Sequence, residues 1–381
     1  MILRAAAALP LLIWLYLLLG RGGFWRVPRR CAPLAGPAVP RSVVAVIPAR
    51  DEAAVIGRAV DSLLTQAFAG TLHVVVVDDG SSDDTGGVAT AAAAAAGASS
   101  HLTVIRGAPL APGWTGKLWA LSQGLAIATA RGPDYLLLTD ADIYHGPDNI
   151  AALVANADTN ARDLVSYMVR LSTATLAERC LMPAFVFFFF KLYPPAWIAS
   201  ARLRTAAAAG GCMLLRPGAL ASIGGLQSIR AEIIDDCALA RAVKAAGGSI
   251  WLGLTRTARS LRTYGSFAEV GRLISRTAFN QLHHSYALLA ATLAGLALTY
   301  IAPPLLLLTR DPATMVLGAA AWALMTLAFR PMVRFYRLAP LWSACLPAIA
   351  LFYGGATLHS ALQYARGRGG HWKGRAQDQR A

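Results

Sequence analysis

The sequence predicts an α/β domain built on a parallel sheet and set between apolar segments of membrane-spanning length. Three observations carry this. Short β-branched or leucine-rich runs alternate with helical patterns four times between residues 42 and 142, the pattern of βα units feeding a parallel sheet. Three of those runs stop abruptly at carboxylates. Hydrophobic residues make up 56% of the 381 residues and charged residues 14%, against about 45–50% and about 25% in ordinary soluble domains, and the excess lies outside the alternating region.

The elements follow in order. "SVVAVIPAR" (42–50) reads as a buried strand. Asp51-Glu52 then opens a helix whose apolar positions Val55, Ile56, Ala59, Val60, Leu63 and Leu64 share one face, with the acids where a helix N-terminus favours them. "LHVVVVDDGSSDDT" (72–85) is a second strand running into a turn, and the alanine-rich stretch 88–98 a helix. "LTVIRG" (102–107) is a third strand, Trp114–Thr129 a helix with Leu118, Leu121 and Leu125 on one side, and "DYLLLTDAD" (134–142) the fourth strand. Strand alternation through 142 would place Asp140 and Asp142 on one side and Ala141 on the other. Further on, "AEIIDDCALARAVKAAGG" (231–248) puts two acids ahead of a helix that ends at Gly247-Gly248.

The ends of the chain are different. Ala5–Leu19, Tyr286–Leu308, Ala313–Phe329 and Leu338–Leu362 are long apolar runs, the C-terminal ones near the roughly 17–25 residues a membrane helix needs. Of 20 acidic residues, 18 fall between Asp51 and Glu269. Arg21, Arg26, Arg29, Arg30 and Arg41 therefore follow the first apolar run without an acid among them. The basic residues hug apolar segments instead of forming an aromatic-interleaved patch, which favours a membrane surface over nucleic acid as partner. No small-x-small cleavage site precedes Gly20-Arg21-Gly22-Gly23, so an uncleaved anchor is expected, with the central domain in the cytoplasm. Three C-terminal crossings would then put the basic tail (Arg366, Arg368, Lys373, Arg375, Arg380) outside, so one proline-interrupted run is expected not to cross. "MPAFVFFFFKLYPPAW" (182–197) reads as too short and proline-rich to span, and so as interfacial. The expected layout is an N-terminal anchor over 1–24, a basic linker over 25–41, a catalytic domain over 42–285, a transmembrane region over 286–363 and a basic tail over 364–381. Five scattered cysteines have no metal or disulfide spacing and read as small buried hydrophobes. His283-His284 has no third ligand nearby.

In an open α/β sheet, ligands bind at the carboxyl ends of the strands. Asp51/Glu52, Asp78/Asp79 and Asp140/Asp142 converge there, and a divalent cation carrying a phosphorylated ligand would relieve their repulsion. No Gly-x-Gly-x-x-Gly or P-loop is present, so phosphates would be met by metal and by side chains such as Lys117. Plainer readings stand beside these: Asp78 or Asp79 as a turn cap, Asp235 as a helix N-terminal acid, Lys117 as a solvated helix residue.

"VAVIPARDEA", "VVVVDDGSSDDT", "LLLTDADI" and "IIDDCAL" together resemble the family-two glycosyltransferases of GT-A fold, over Ser42 to about Leu282. The resemblance implies a Rossmann-like nucleotide-diphospho-sugar transferase domain. Pro48, Arg50, Asp51, Glu52, Asp78, Asp79, Lys117 and Asp140 would hold a nucleotide-sugar donor, expected to be UDP-linked. Asp140 and Asp142 would chelate Mn²⁺ or Mg²⁺, and Asp236, next to Asp235, would be the base. "GWTGKLWAL" (113–121), "AAAGGCMLLRP" (207–217), "SRTAFNQL" (275–282) and "HWKGR" (371–375) look most like the hopene-associated branch, which implies a lipid acceptor, a hopanoid or related isoprenoid. Gly211, Arg276 and Trp372 in those stretches are candidates for acceptor or diphosphate contact. Leu273–Thr277 keeps only Arg276 of the Gln/Arg-x-x-Arg-Trp motif of polysaccharide synthases, which argues against processive synthesis. The competing readings are a polyprenyl-phosphate glycosyltransferase and a non-catalytic nucleotide-binding scaffold.

Overall fold

The computed structural model describes residues 2–27, 39–367, 371–372 and 375–376. Arg29, Arg30, Cys31 and most of the basic tail lie outside the described residues. After an N-terminal apolar helix, α1 (Ile2–Leu19), the chain forms two compact units. One holds the sheet (29–172, 197–262) and the other most of the apolar helices (1–28, 173–196, 263–371).

The sheet unit begins with β1 (Ser42–Ala49), buried from Val43 onward, and α2 (Ala53–Leu64), which turns Ile56, Ala59, Val60 and Leu63 inward. β2 (Thr71–Asp78), α3 (Thr85–Ala95), β3 (Leu102–Arg106), α4 (Gly116–Ala130) and β4 (Tyr135–Leu138) follow. α4 buries Leu118, Leu121 and Leu125 as its spacing requires. Gly124 lets it lie close on the sheet, since a Cβ there would overlap Val46. β1 to β4 are mutually parallel, in the order β3-β2-β1-β4. The strand order therefore reverses between β1 and β4, which is where such sheets bind ligands.

The remaining elements of this unit are β5 (Ile143–His145), α5 (Asn149–Thr159) and β6 (Leu164–Arg170). After an excursion through α6 (Leu176–Leu192) and one turn of α7 (Pro195–Ile198) come β7 (Met213–Leu215), α8 (Pro217–Ser222), α9 (Asp235–Ala245) and β8 (Ile250–Ser260). The complete order is β3-β2-β1-β4-β7-β6-β8-β5. The expected parallel sheet is thus corrected to a mixed one: β7 runs antiparallel to β4 and β6, and β5 antiparallel to β8. Each of these two strands has only three residues, too few to carry a period.

A second correction concerns the fourth strand, which stops at Leu138. The Ile143 N–H donates to the Asp140 carbonyl at 3.3 Å, so Asp140-Ala141-Asp142 is a turn. Ala141 is buried while Asp140 and Asp142 keep partly open side chains. The turn, not strand alternation, therefore sets where the two acids go: Asp140 beside Lys117 and Asp142 beside Arg262.

In the helical unit, α6 begins upstream of the aromatic run because Thr175 and Glu178 form a capping box. This corrects the view that the segment is too short: Leu176–Ile198 is long and apolar enough to cross a membrane. So are Tyr286–Leu306, Pro312–Phe335 and Pro340–Ala365, which contain α11 (Tyr286–Leu296), α12 (Ala302–Leu306), α13 (Pro312–Phe335) and α14 (Leu346–Ala365). α10 (Phe267–Gln281) precedes them. Pro303-Pro304 does not break its run, because a π-helical turn over Ala297–Ile301 links α11 to α12. Trp14 Nε1–H of α1 donates to the Thr299 carbonyl at 2.8 Å. Leu12, Leu19, Val316 and Leu351 point outward, a set of exposed apolar side chains that suits lipid.

Candidate active site

The carboxyl end of β1 is shaped by Asp51, whose φ of 50° lies in the left-handed region, a conformation that costs a non-glycine residue about 1 kcal/mol or more. Hydrogen bonds hold it there. Its N–H donates to Ser81 Oγ at 3.0 Å, and its carboxylate accepts from the Ser82 N–H at 2.7 Å. The β1 and β2 ends are thereby laced together, and the Asp79 N–H reaches the Ala49 carbonyl at 2.8 Å. Asp78 accepts from the Ser81 N–H at 2.8 Å, which caps the turn. Asp79 is buried, with Arg50 Nη1 at 3.9 Å from its carboxylate and hydrogen-bonded to its carbonyl. Pro48 lies within β1, paired to Val77.

At the β4 end, two cations divide the acids. Lys117, in the first turn of α4, sits 2.8 Å from Asp140 and 3.0 Å from Asp235. Arg262, just beyond β8, lies 3.0 Å from Asp142 and 2.6 Å from Glu52. Lys117 is only 19% exposed, which corrects its reading as a solvated residue. Burial pulls its pKa down, but the charges of Asp140 and Asp235 outweigh that and raise it, so it stays an ammonium.

Asp235 and Asp236 open α9, where the helix dipole favours negative charge. The Asp236 carboxylate accepts from the Gly210 N–H at 2.9 Å and the Cys237 N–H at 2.7 Å. Gly210 is the residue that fits there, since a Cβ would stand 3.3 Å from Lys117 Nζ and 3.4 Å from Asp236 Oδ2. Burial, followed by the adjacent Asp235 charge, pushes the Asp236 carboxyl up to about 6 against the pull of Lys117. A carboxylate of that basicity is suited to taking a proton near neutral pH.

Lys117, Asp140, Asp235 and Asp236 thus form one cluster, and Glu52, Asp142 and Arg262 a second, joined through the Asp140–Asp142 turn. Asp51, Asp78, Asp79 and Arg50 line the neighbouring strand ends. Gly211 lies behind the turn, where its carbonyl accepts from Thr139 at 2.8 Å. Arg276 is on α10, in the helical unit. Trp372 belongs to a two-residue strand, and its side chain lies outside the described residues.

Sequence reasoning missed Arg262, Gly210 and the serines of "DDGSSDDT". It also missed a polar chain next to the metal-candidate turn, which starts at exposed Thr257 and runs inward through buried Asn149, His145 and Thr139. Thr257 donates to Asn149 (2.9 Å), Asn149 to His145 Nδ1 (2.9 Å), His145 Nε2–H to Thr139 (3.0 Å), and Thr139 to the Gly211 carbonyl. This ordering requires a neutral imidazole, and burial lowers the His145 pKa to about 3. A histidine depressed below its ordinary 6.5 contributes stability that is complete above pH 6.5 and is lost as pH falls toward 3. The thermal midpoint is therefore expected to drop between pH 6.5 and 5, with a slope of up to about 1.4 kcal/mol per pH unit. That slope should flatten in His145→Gln, measured by thermal unfolding in detergent.

The residues suit a hard divalent cation. Asp140 and Asp142 offer carboxylate oxygens from one short turn, both met by side-chain cations, and buried Asp235 Oδ2 has no hydrogen-bond partner beyond the charge of Lys117. Among the described residues no three Asp, Glu, His or Cys side chains surround one point. A cation here would take the aspartates and complete its shell with water and donor phosphates, as Mg²⁺ and similar ions commonly do.

A family model for glycosyltransferase like family 2 matches residues 40–280. The chain belongs to this family. Its members are glycosyltransferases, and this one carries the family's domain over most of its length. Among solved structures, the mannosyltransferase PcManGT from Pyrobaculum calidifontis, in complex with GDP-Man and Mn²⁺, is similar over 95% of this chain and 97% of its own, with 19% identity and a TM-score of 0.58. Glucosyl-3-phosphoglycerate synthase from Mycobacterium tuberculosis, in complex with Mn²⁺, UDP and glucosyl-3-phosphoglycerate, matches over 64% of this chain and 79% of its own, with 21% identity and a TM-score of 0.40. The first similarity shows that this glycosyltransferase shares its fold along nearly the whole chain. No curated protein sequence matches it.

Proposed function

We propose that this glycosyltransferase is membrane-bound, metal-dependent and inverting, and moves a sugar from a nucleoside-diphosphate donor to a hydroxyl of a membrane lipid. The observation that carries the reading is Asp236: a half-buried carboxylate, raised toward neutrality and oriented by two backbone amides, beside a lysine that also holds the Asp140 turn. Asp236 takes the acceptor hydroxyl's proton onto a carboxylate oxygen as that hydroxyl oxygen attacks the anomeric carbon. The new oxygen–carbon bond forms opposite the breaking bond to the diphosphate, whose oxygen leaves with the electron pair, so the configuration inverts. Asp140 and Asp142 are the residues that would hold Mn²⁺ or Mg²⁺, which supplies positive charge to the departing diphosphate. Asp51, Glu52, Asp78, Asp79, Arg50 and Pro48 line the strand ends where the donor's nucleoside would lie, and Lys117 keeps Asp140 and Asp235 from repelling each other.

The motif resemblance supports a UDP-linked donor and a hopanoid or related isoprenoid acceptor. The structurally similar mannosyltransferase is bound to GDP-Man, so the guanosine donor belongs in the same experiment. Four helices of spanning length among the described residues and the basic flank after α1 support a multi-pass location in the plasma membrane, with the sheet unit cytoplasmic. The test is transfer from radiolabelled UDP- and GDP-sugars to a membrane lipid extract, with EDTA and then added Mn²⁺. The expected result is a labelled lipid formed only with the cation and identified by mass spectrometry. Nucleotide binding without metal-dependent transfer to any lipid would overturn the proposal.

A further inference from the structure

The helical unit contains a cavity of about 400 Å³ lined by Leu18, Leu19, Gly22, Gly23, Arg26, Pro195 and Ala196. It forms where the ends of α1 and α6 are tied together. Arg21 Nε donates to the Lys191 carbonyl at 3.0 Å and Nη2 to the Leu192 carbonyl at 3.3 Å, so this arginine caps α6 and ties it to the turn after α1. The turn after α1 folds back on itself: Gly22 and Gly23 have φ of 60° and 61°, and Trp25 Nε1–H returns to the Leu18 carbonyl at 3.0 Å. Phe24, buried against Phe187 with ring centroids 5.2 Å apart, anchors the turn. Arg26 is left exposed at the rim, its guanidinium 5.4 Å from the Trp25 ring.

Charge and polarity together define the occupant. The wall residues, Leu18 to Arg26 and Pro195-Ala196, lie within stretches (1–50 and 179–231) that contain no Asp or Glu. No ion pair of Arg26 occurs among the described residues. Next to this cationic rim, Leu19 is 83%, Leu12 58% and Tyr16 56% exposed, an apolar strip along α1 leading away from the arginine. An arginine and tryptophan at the end of an apolar helix belong at headgroup depth, and a phosphate is what a guanidinium at that depth recognises best.

We propose that this cavity binds the headgroup of an anionic phospholipid, with the phosphate against Arg26 and the acyl chains along the outer face of α1. The site holds a lipid of the surrounding bilayer and does not depend on the reading of the catalytic residues.

The test uses the full-length protein in nanodiscs of mixed phosphatidylcholine and phosphatidylglycerol, with retained lipid quantified by mass spectrometry after exchange into detergent. Wild type is expected to retain phosphatidylglycerol above its share of the bilayer. Arg26→Gln, an exposed position, should reduce that enrichment about fivefold, the worth of one arginine at a membrane surface. Ala196→Trp, which fills the cavity without changing charge, should do the same. Unchanged enrichment in both variants overturns the proposal. If inorganic phosphate displaces the retained phosphatidylglycerol as well as added phosphatidylglycerol does, the site takes free phosphate and the lipid assignment fails.

Discussion

Asp236→Asn is expected to lower kcat by about 10²–10⁴-fold, the range for loss of a positioned general base, while donor affinity stays within about twofold. An asparagine can still accept one of the two amide hydrogen bonds from Gly210 and Cys237, so the loop and the start of α9 should keep their positions. The pH profile separates catalysis from structure. The base must be ionised to work, and burial with the Asp235 charge raises it to about 6. The wild-type rate should therefore climb as pH rises through about 6 and level off above, whereas the residual rate of Asp236→Asn should be flat across that interval. A variant that kept the inflection would assign it to another group. An Asp236→Asn enzyme with undiminished turnover would remove this residue from the chemistry, as expected if the acceptor were already an anion, such as a polyprenyl phosphate, needing no base.

Lys117→Met is expected to cost about 3–5 kcal/mol of stability, the range for removing one partner of a buried ion pair. The low end applies, because Asp140 is 36% exposed and water can screen it. Three acids, Asp140, Asp235 and Asp236, would then face one another without the ammonium that stands 2.8 Å and 3.0 Å from the first two. Methionine preserves the stem's packing, so the loss reports charge and not volume. Denaturant unfolding in detergent measures it. Mn²⁺ together with nucleoside diphosphate should restore part of the loss in the variant, since added positive charge relieves the same repulsion. If Lys117 were only a solvated helix residue, the change would stay within about 0.5 kcal/mol.

The two predictions draw on different kinds of legibility. Asp236, Asp235, Asp140 and Lys117 could be named from local motifs, each a short pattern at a strand or helix end. Their contacts could not. Lys117 is 118 residues before Asp235 in the chain, and only the fold, which brings the first turns of α4 and α9 together, makes them neighbours. Arg262 had no motif at all. It reaches Glu52 across 210 residues because β8 ends near the switch point, and an arginine after a strand is unremarkable until the fold is known. The His145 chain was hidden for a related reason: threonine, asparagine and histidine in a row of burial look like scattered polar residues until their partners are present.

In α6 the aromatic run drew attention to 182–197, while the element's true start lay in the plainer Thr175–Glu178 capping pair. At the fourth strand, continuity of apolar residues implied extension to Asp142, although the chain turns after Leu138. Both errors concern boundaries, where capping and turn hydrogen bonds compete with hydrophobic pattern.

The amino-acid sequence by itself determined the four parallel βα units, the carboxylates at their ends and the segregation of apolar and basic residues to the flanks. These follow from periodicity and charge, which act between residues close in the chain. The antiparallel insertion of β7 and β5, the division of the acids between Lys117 and Arg262, the basicity of Asp236 and the cavity beside Arg26 were decided only by the tertiary structure. Each of these depends on burial and on charges brought together from distant segments, and no local pattern encodes either.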